Sequence, residues 1–331
     1  MDWSRNRTAR ATQRAAAGFA LSASLVVSAL PASAAAGGHL YLGIGSSVER
    51  FPLQNGVPST QPDLTIPGYG GALAVAPDGT VYALRFNGSG YNAFDIYAFT
   101  SGQTKPSREI ILPRNGQCTL SSPPIQGLAV DGKGNLFVLV VYAQSGARPF
   151  QAVVRPDAFP ICLGVAVFAA NASGKAKPLQ AIPLNDFYFG GMTVSNHDDL
   201  YVNLSDYAQT DDIANAARHP HQTRALPAQD NPSVATDKDD NAYLLTYGSG
   251  SLINVFAPSW TSGPPTRSIS LSSPFNETIS LAVRGKLAYL ETLPTGSNGS
   301  VGVFDATGNG PENPLEVVTY SGIQGPMAVG P

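Results

Sequence analysis

The most constraining feature of the sequence is a strand–turn–strand unit that recurs along the chain. Its clearest copy is residues 125–139, Ile-Gln-Gly-Leu-Ala-Val-Asp-Gly-Lys-Gly-Asn-Leu-Phe-Val-Leu. Two apolar runs on either side of a glycine-rich polar turn predict a β-hairpin. The first half of the unit returns at residues 323–329 as Ile-Gln-Gly-Pro-Met-Ala-Val. This isolated half unit predicts a closed ring of repeats in which both ends of the chain share one repeat.

The residue pattern predicts four strands in each repeat. The second strand carries an aromatic residue at six positions, Tyr41, Tyr82, Phe137, Tyr201, Tyr243 and Tyr289. The third strand ends on a phenylalanine, with a β-branched residue three places earlier, at 48–51, 96–99, 165–168, 253–256 and 301–304. The fourth strand follows a proline, with a β-branched residue four places later, at 62–66, 106–110, 178–182, 265–269 and 314–318.

The spacing of these repeats indicates how they are arranged. A unit of about 40 residues with four strands is typical of β-propellers. One four-stranded sheet cannot bury both of its faces alone, whereas radial stacking buries each face against a neighbouring sheet. We therefore predict an all-β, six-bladed β-propeller with four-stranded blades, the first closed by the N- and C-terminal strands together. The predicted blades are residues 39–66 plus 323–331, 72–112, 126–183, 190–227, 232–272 and 278–319.

The composition agrees with a chain of strands and tight turns. Only 13% of the 331 residues are charged, while 34 are glycine and 27 are proline. Abundant turn formers and few long polar side chains favour an all-β protein. The net charge of -3 gives no reason to expect nucleic acid or an anionic membrane as a partner.

The N-terminus has the pattern of a targeting segment. Four arginines lie within residues 5–14, an apolar run covers residues 15–30, and small residues follow at 31–34. The apolar run is shorter than the roughly 20 residues that a spanning helix needs. We predict a signal peptide at residues 1–34 and a secreted or extracytoplasmic mature chain, residues 35–331, without a membrane span.

The repeats resemble a known family. Leu128-Ala-Val-Asp-x-x-Gly-Asn-Leu-Phe137, followed by Val-x-Val-Phe and Pro-x-x-x-Ile, is similar to the NHL-type repeats of secreted bacterial six-bladed propellers. The same superfamily contains lactonase-like and strictosidine-synthase-like enzymes. The resemblance covers most of the predicted mature chain and implies the fold. Because propellers host unrelated activities, it does not select one of them.

The fourth repeat departs from the pattern. Residues 213–216 contain no phenylalanine, and Pro220 is followed four places later by Arg224. We expect either a shortened outer hairpin here or a loop or short helix over residues 205–230. One explanation is sequence drift at an outer edge, where strands contribute least to the core. The other is an opening for a partner.

Two cysteines bracket a long insertion in the third repeat. Cys118 precedes the innermost strand of the predicted blade, and Cys162 ends the insertion at residues 142–163. Both positions belong to the face that carries the loops between blades, which we call the top. Two cysteines in an exported protein favour a disulfide, which would anchor the insertion. Two separate free thiols are the alternative.

The residues that begin the innermost strands should surround the top mouth of the central channel. These positions are Gly71, Gln126, Gly190, Asn231, Glu277 and Gln324, with Asp230 and Asn276 beside them. The candidate ligand-binding residues are Gln126, Asn231, Asn276, Glu277 and Gln324. Lactonase-like relatives hold a divalent ion at this place with carboxylate and amide oxygens. The resemblance therefore implies Glu277, Asn231 and Asp230 as possible calcium ligands.

Other polar motifs are interpreted as turns on the opposite, bottom face. Residues 237–241, Asp-Lys-Asp-Asp-Asn, place oxygen ligands at alternate positions as a calcium loop does. The turn at 131–135 occupies the same repeat position, which favours ordinary turn chemistry. The histidines form no recognised metal-ligand spacing, and we assign all four to bottom turns: His39, His197, His219 and His221.

Three functional hypotheses follow. The first is a secreted, monomeric binding or scaffold protein that uses the top face and channel mouth to hold a small molecule, a glycan or a protein, without a cofactor. The second is a metal-dependent hydrolase, lactonase or lyase that uses Ca²⁺. The third is a purely structural envelope protein. The sequence contains no nucleophile elbow and no phosphate loop.

Overall fold

The structure is a computed structural model that describes most of the repeat region. The described residues are 37–86, 91–112, 125–141, 163–184, 189–204, 209–214, 216, 221–227, 233–246, 252–272, 275, 278–292, 298–321 and 325–331. Within these ranges the regular secondary structure is entirely β. The predicted signal peptide, Cys118 and Cys162 lie outside the described residues.

The first half of the chain contributes twelve strands. They are β1 (His39–Ile44), β2 (Ser47–Gln54), β3 (Val57–Pro58), β4 (Leu64–Pro67), β5 (Tyr69–Val75), β6 (Val81–Phe86), β7 (Tyr91–Phe99), β8 (Arg108–Ile111), β9 (Ile125–Val130), β10 (Leu136–Val141), β11 (Leu163–Phe168) and β12 (Gln180–Pro183).

The second half contributes fourteen strands. They are β13 (Phe189–Val194), β14 (Leu200–Leu204), β15 (Gln209–Ala214), β16 (His221–Pro227), β17 (Val234–Thr236), β18 (Ala242–Thr246), β19 (Leu252–Phe256), β20 (Arg267–Leu271), β21 (Thr278–Arg284), β22 (Leu287–Thr292), β23 (Asn298–Asp305), β24 (Gly310–Glu312), β25 (Glu316–Ser321) and β26 (Met327–Gly330).

The described strands form six sheets, numbered in the order in which the chain enters them. Sheet 1 is β26-β1-β2-β3 with β4 also paired to β2, and sheets 2, 3 and 4 are β5–β8, β9–β12 and β13–β16. Sheet 5 is β17-β18-β19-β20-β24, and sheet 6 is β21-β22-β23-β25. Pairing is antiparallel except between β20 and β24, where the outer edge of sheet 5 takes a short parallel strand from the chain of sheet 6.

The predicted strand positions are confirmed by where their key side chains lie. All six aromatic residues of the second strands are buried, as are the phenylalanines that end the third strands. The β-branched residues of the fourth strands are buried too: Ile66, Ile110, Ile182, Ile269 and Val318. A strand stacked between two sheets is covered on both faces, and β22 is accordingly buried along its whole length.

Six hydrophobic clusters hold the sheets together, one between each pair of consecutive sheets. The cluster between sheets 2 and 3 includes Leu84 and Val138, and the one between sheets 5 and 6 includes Tyr243 and Phe304. The others join sheets 3 and 4, 4 and 5, 6 and 1, and 1 and 2. The innermost strands also contact one another in succession, and β26 contacts both β21 and β5. The chain therefore has a β-propeller arrangement.

Both ends of the described chain meet in sheet 1. The strand β26 pairs with β1 in an antiparallel register that sets Leu42 opposite Met327 and His39 opposite Gly330. The Arg284 guanidinium donates hydrogen bonds to the carbonyl oxygens of Gly37, at 3.0 Å, and Gly330. A side chain from sheet 6 therefore ties the two chain ends together at the bottom of this seam.

One of the two expectations for the fourth repeat is wrong. Residues 209–214 and 221–227 form the paired strands β15 and β16, so no loop or short helix replaces this outer hairpin. The connection between the two strands is nevertheless short, with six residues against eight between β7 and β8. A register shift lies between Asp212 and Ile213. The missing phenylalanine misled the prediction because an outer strand needs a neighbouring backbone to pair with more than it needs one particular core residue.

Candidate functional site

A central cavity of about 940 Å³ runs along the axis of the sheets. Its wall is made by the innermost strand of every sheet, β26, β5, β9, β13, β17 and β21. Small residues where these strands begin form one end, which we call the upper rim: Gly71, Gly127, Gly191, Ser233, Ser280 and Gly325. The turns that follow the strands form the lower rim: Pro77, Asp131, Asn196, Lys238, Gly285 and Pro331.

The wall of this cavity exposes backbone polar groups. Each innermost strand pairs along one edge with the second strand of its own sheet. Its other edge faces the cavity, so a row of N–H donors and C=O acceptors lines the wall. The small side chains of the upper rim leave these groups accessible. The cavity thus combines apolar side chains with a regular array of hydrogen-bonding groups.

The predicted mouth residues fall mostly outside the described chain. Asp230, Asn231, Asn276, Glu277 and Gln324 are not among the described residues. Of Gln126 and Gly190 the structure gives the backbone, in β9 and β13. Gly71 lies in the upper rim as expected. The proposed ring of amide and carboxylate groups at the mouth therefore stays a prediction.

The bottom turns use their aspartates to hold the backbone. The Asp131 carboxylate accepts hydrogen bonds from the backbone N–H groups of Lys133 (2.9 Å) and Asn135 (2.8 Å) and from the Asn135 amide (2.7 Å). Asp237 repeats this arrangement with Asp239 and Asn241. Burial raises the pKa of Asp131, and the hydrogen bonds from Asn135 and Lys133 act in the opposite direction.

This geometry favours the turn interpretation over the calcium loop. Each of the two carboxylates is engaged by N–H donors of its own turn, so its oxygens point at the backbone. In the ranges given above, no three His, Cys, Asp or Glu side chains come close enough together to hold a metal ion.

Charged side chains connect the bottom turns of three consecutive sheets. Lys133 of sheet 3 pairs with Asp198 of sheet 4, and His197 of sheet 4 pairs with Asp240 of sheet 5. The Asn196 backbone N–H also donates to Asp240, at 3.0 Å. Lys133 and His197 are largely exposed, so solvent weakens both ion pairs. We assign this network to bracing of the lower rim.

The four histidines share no site among the described residues. His39 was predicted to lie in a turn but is the first residue of β1. Its Nδ1 atom lies 2.8 Å from the Pro331 carbonyl oxygen. His197 lies in the predicted bottom turn. His219 is outside the described residues, and of His221 only the backbone, at the start of β16, is described.

The repeated tyrosines have a second role that the sequence pattern did not show. The Tyr82 hydroxyl accepts a hydrogen bond from Arg108 (2.7 Å), and Arg108 also bonds the Ala170 carbonyl in the next sheet. Tyr243, Arg267 and Ala306 repeat this arrangement between sheets 5 and 6. The sequence signal was available, because an arginine occurs two residues after the recurring proline of the repeat in both cases: Arg108 after Pro106 and Arg267 after Pro265.

Tyr289 makes the equivalent link from sheet 6 to sheet 1. Its hydroxyl donates to the Gly56 carbonyl oxygen at 2.9 Å. Burial raises the pKa of Tyr289 to about 12, and it raises the pKa of Tyr82 and Tyr243 as well. These hydroxyls therefore stay protonated at neutral pH and act as permanent hydrogen-bonding links between sheets.

One buried carboxyl was missed by the sequence analysis. Glu291 lies in β22 and is only 6% exposed, and its Oε2 atom is buried without a hydrogen-bond partner. Burial raises its pKa to about 8. The available signal was its repeat position, two residues after the second-strand aromatic, where other repeats carry buried leucines: Leu84, Leu139 and Leu245.

Comparison with known proteins supports the fold. No family model matches the sequence, and no curated protein matches it either. A chain of the nidogen/laminin complex superposes with a TM-score of 0.58 at 15% identity, covering 88% of this chain and 98% of that one. At this identity the likeness shows the fold alone.

Two bacterial structures give a similar result. A protein of unknown function from Bacteroides caccae superposes with a TM-score of 0.53 at 9% identity, covering 89% of this chain and 99% of that one. A protein from Lactobacillus plantarum gives 0.52 at 11% identity, covering 88% and 98%. The fold and its axial cavity thus place the chain in the class of β-propeller proteins.

Among the residues that the structure describes, there is no helix with the length and hydrophobicity that a membrane span requires.

Proposed function

We propose that this chain is a secreted six-bladed β-propeller that binds a ligand at the upper mouth of its central cavity. The ligand is a small molecule, a glycan or a segment of a protein. The observation that carries the proposal is the cavity itself, whose wall offers bare strand edges and whose upper rim consists of glycines and serines. Its volume of about 940 Å³ falls within the range of about 300–1,000 Å³ that small-molecule sites occupy.

The six sheets are, in this proposal, the six blades of one closed NHL-type ring. The pairing of β26 with β1 and the presence of a hydrophobic cluster between every two consecutive sheets support closure. Closure joins the inner edges into one continuous wall. A ring of this kind holds its mouth loops at fixed distances, which is what a preorganised binding site requires.

Binding at the mouth is tested with a panel of defined probes. Isothermal titration of maltodextrins, mixed tripeptides and free amino acids should identify at least one ligand. Alanine substitution of Gln126, Asn231, Asn276, Glu277 or Gln324 should weaken that ligand about tenfold or more. Lys238→Ala, at the opposite rim of the same cavity, is the matched control. A ligand that is lost in the control but kept in every mouth variant would overturn the proposal.

A calcium titration separates this proposal from the metal-dependent hydrolase. Tight binding that Glu277→Ala abolishes would favour the hydrolase, with Asn231 and Asp230 as the other ligands. Calcium-independent binding of an organic ligand supports the binding protein. No binding by any probe, with or without calcium, would favour a structural envelope protein.

Export and the disulfide belong to the same proposal. Residues 1–34 would be removed on secretion, and Cys118 and Cys162 would be bridged in the mature monomer. Intact mass spectrometry of the secreted protein checks both points. A mass that begins after Ala34 and does not change on alkylation without reductant is expected. A mass increase from two alkylated thiols would rule out the bridge.

A further inference from the structure

Glu291 occupies a repeat position that leucine fills in three of the other five repeats, the remaining two having Gly43 and Asn203. Leu84, Leu139 and Leu245 hold the equivalent place in three other sheets, and each packs in the cluster toward the next sheet. Glu291 is buried, like these leucines, but its Oε2 atom has no hydrogen-bond partner. A buried unpaired carboxyl costs stability compared with leucine. Its presence therefore points to a role other than packing.

Strand alternation shows which way Glu291 faces. Leu287 and Tyr289, four and two places earlier in β22, belong to the cluster between sheets 6 and 1. Side chains two residues apart in a strand share a face, so Glu291 also faces sheet 1. Its register partners on that face are Ser280 in β21 and Val301 in β23.

The facing strands of sheet 1 are largely apolar, with one further carboxyl. Leu42 and Met327 belong to the shared cluster. Glu49 lies two residues before Phe51 in β2, so its side chain faces the same seam as Phe51, which belongs to that cluster. Glu49 is half-buried. Burial raises the pKa of Glu49 as well. Among the described residues of these strands, the cation on this face is Arg284. It lies at the lower end of the seam, where its guanidinium is hydrogen-bonded to the Gly37 and Gly330 carbonyl oxygens.

Small residues separate the seam from the central cavity. Ser280, the direct neighbour of Glu291 across the strand pair, is part of the upper rim. Gly325, which precedes β26 on the sheet 1 side, is part of it too. Glu291 thus lies one strand outward from the cavity wall, next to a serine of that wall.

We propose that the upper seam between sheets 6 and 1 is a subsite for an aliphatic ammonium group, held by Glu291. This subsite deepens the proposed function and rests on it, because the ammonium group enters from the central cavity. A lysine side chain or a free alkylamine supplies the same chemistry. Apolar neighbours such as Val301 and Leu42 suit the methylene chain, and the unpartnered oxygen accepts a hydrogen bond from the nitrogen.

Binding is coupled to loss of one proton. At neutral pH the buried Glu291 is mainly a neutral carboxylic acid, because its pKa is raised to about 8. When the ammonium group arrives, the acid releases its proton to solvent and becomes a carboxylate, which then pairs with the cation. The ammonium group keeps its own protons, so the net change is release of close to one proton per bound amine.

The test is isothermal titration of the purified protein with n-butylammonium chloride at pH 7. The heats of binding measured in phosphate and in Tris should differ. The difference should correspond to the release of nearly one proton per bound amine. Glu291→Leu, which introduces the residue that three other repeats carry at this position, should weaken binding about tenfold or more while keeping the fold. Glu291→Gln should abolish the proton release. Glu316→Gln, on the exposed outer strand of the same sheet, is the matched control and should behave as the wild type.

Several results would overturn the subsite. They are equal n-butylammonium affinity in wild type and Glu291→Leu, equally tight binding of n-butanol, and no binding of n-butylammonium at all. A lysine-containing tripeptide tested beside n-butylammonium distinguishes a protein segment from a free amine. If the mouth variants still weaken a panel ligand while Glu291→Leu changes nothing, the subsite fails and the proposed function stands. If no probe binds anywhere, both fail.

Discussion

The guanidinium of Arg267 donates a 2.7 Å hydrogen bond to the hydroxyl of Tyr243, and the same Nη2 atom lies 2.8 Å from the Ala306 carbonyl oxygen of the next sheet. Two residues that are 24 positions apart thereby fasten the turn that follows β23 in the neighbouring sheet. Tyr82 and Arg108 make the same kind of link between sheets 2 and 3. The repeat thus encodes polar links between sheets as well as apolar packing.

Removing one of these hydroxyls should destabilise the fold measurably. Tyr243→Phe deletes an acceptor for Arg267 and a 3.0 Å donor to Asp237 while keeping the ring in the core. We expect a loss of about 1–2 kcal/mol in the free energy of unfolding, measured by urea denaturation. Tyr69→Phe, whose ring packs against Tyr97 and Phe99, is the control and should cost less. Equal losses in the two variants would mean that the hydroxyl link does not contribute.

The bottom turns should depend on one aspartate and not on its neighbour. Asp237 accepts hydrogen bonds from two backbone N–H groups, the Asn241 amide and the Tyr243 hydroxyl. Asp237→Ala should therefore cost about 2–3 kcal/mol in the free energy of unfolding. Asp239→Ala removes an exposed pair with Lys238, which solvent screens, and should therefore cost much less than Asp237→Ala.

The same two variants decide between a turn and a calcium loop. If the turn interpretation holds, this loop does not bind calcium. Any effect of calcium on the melting temperature should then be the same in the wild type and in Asp237→Ala. A calcium-induced rise in the melting temperature that Asp237→Ala removes would contradict it.

Stability should fall at alkaline pH because of Glu291. Its folded pKa of about 8 lies above the usual 4.5, so the folded protein binds the extra proton between these values. The stabilising contribution is complete below pH 4.5 and is lost as the pH rises through 8. We expect a decrease of about 2–3 kcal/mol between pH 6 and pH 9, measured by urea denaturation.

Glu291→Gln is the matched control for this pH effect. It keeps the shape of the side chain without the titration, so its stability should change less over the same range. Glu291→Leu should be the most stable of the three proteins at pH 9. A wild-type profile that coincides with that of Glu291→Gln would show that another group is responsible.

The seam between the two chain ends should be essential. Deletion of residues 327–331 removes β26, exposes the inner edge of β1 and takes Met327 out of the cluster between sheets 6 and 1. An open strand edge with exposed apolar surface promotes aggregation. Size-exclusion chromatography and a circular dichroism melt should show an aggregated protein without a cooperative transition. Deletion of Pro331 alone keeps all four paired positions of β26 and is the control; a monomeric, cooperatively melting 327–331 deletion would contradict closure.

Much of the fold was predictable because its signals are local. An aromatic residue in the second strand, a terminal phenylalanine in the third and a β-branched residue after proline in the fourth each mark a buried position of one strand. Tyr82, Phe99 and Ile110 show all three in one repeat, and each is buried. The fourth repeat was misjudged because strand pairing can keep an outer hairpin whose core residues have changed.

The candidate site was predictable in outline but not in detail. The repeat register placed the cavity mouth at the start of the innermost strands, and Gly71 lies there. Glu291 belongs to no sequence motif. A single glutamate within an apolar strand becomes informative only when its neighbours in space are known. The partners of Arg108 and Arg267 were hidden for the same reason, since the Ala170 and Ala306 carbonyls belong to the next sheet.

The amino-acid sequence by itself determined the repeat, the strand class and the turns, because backbone geometry and alternation depend on residues close together along the chain. The tertiary structure decided which strands stack, which hydroxyls cross between sheets and that one glutamate is enclosed without a partner. Those features depend on contacts between residues far apart in the sequence. The central cavity belongs to the second group, because no single repeat encloses a volume until the innermost strands of all the sheets surround the same axis.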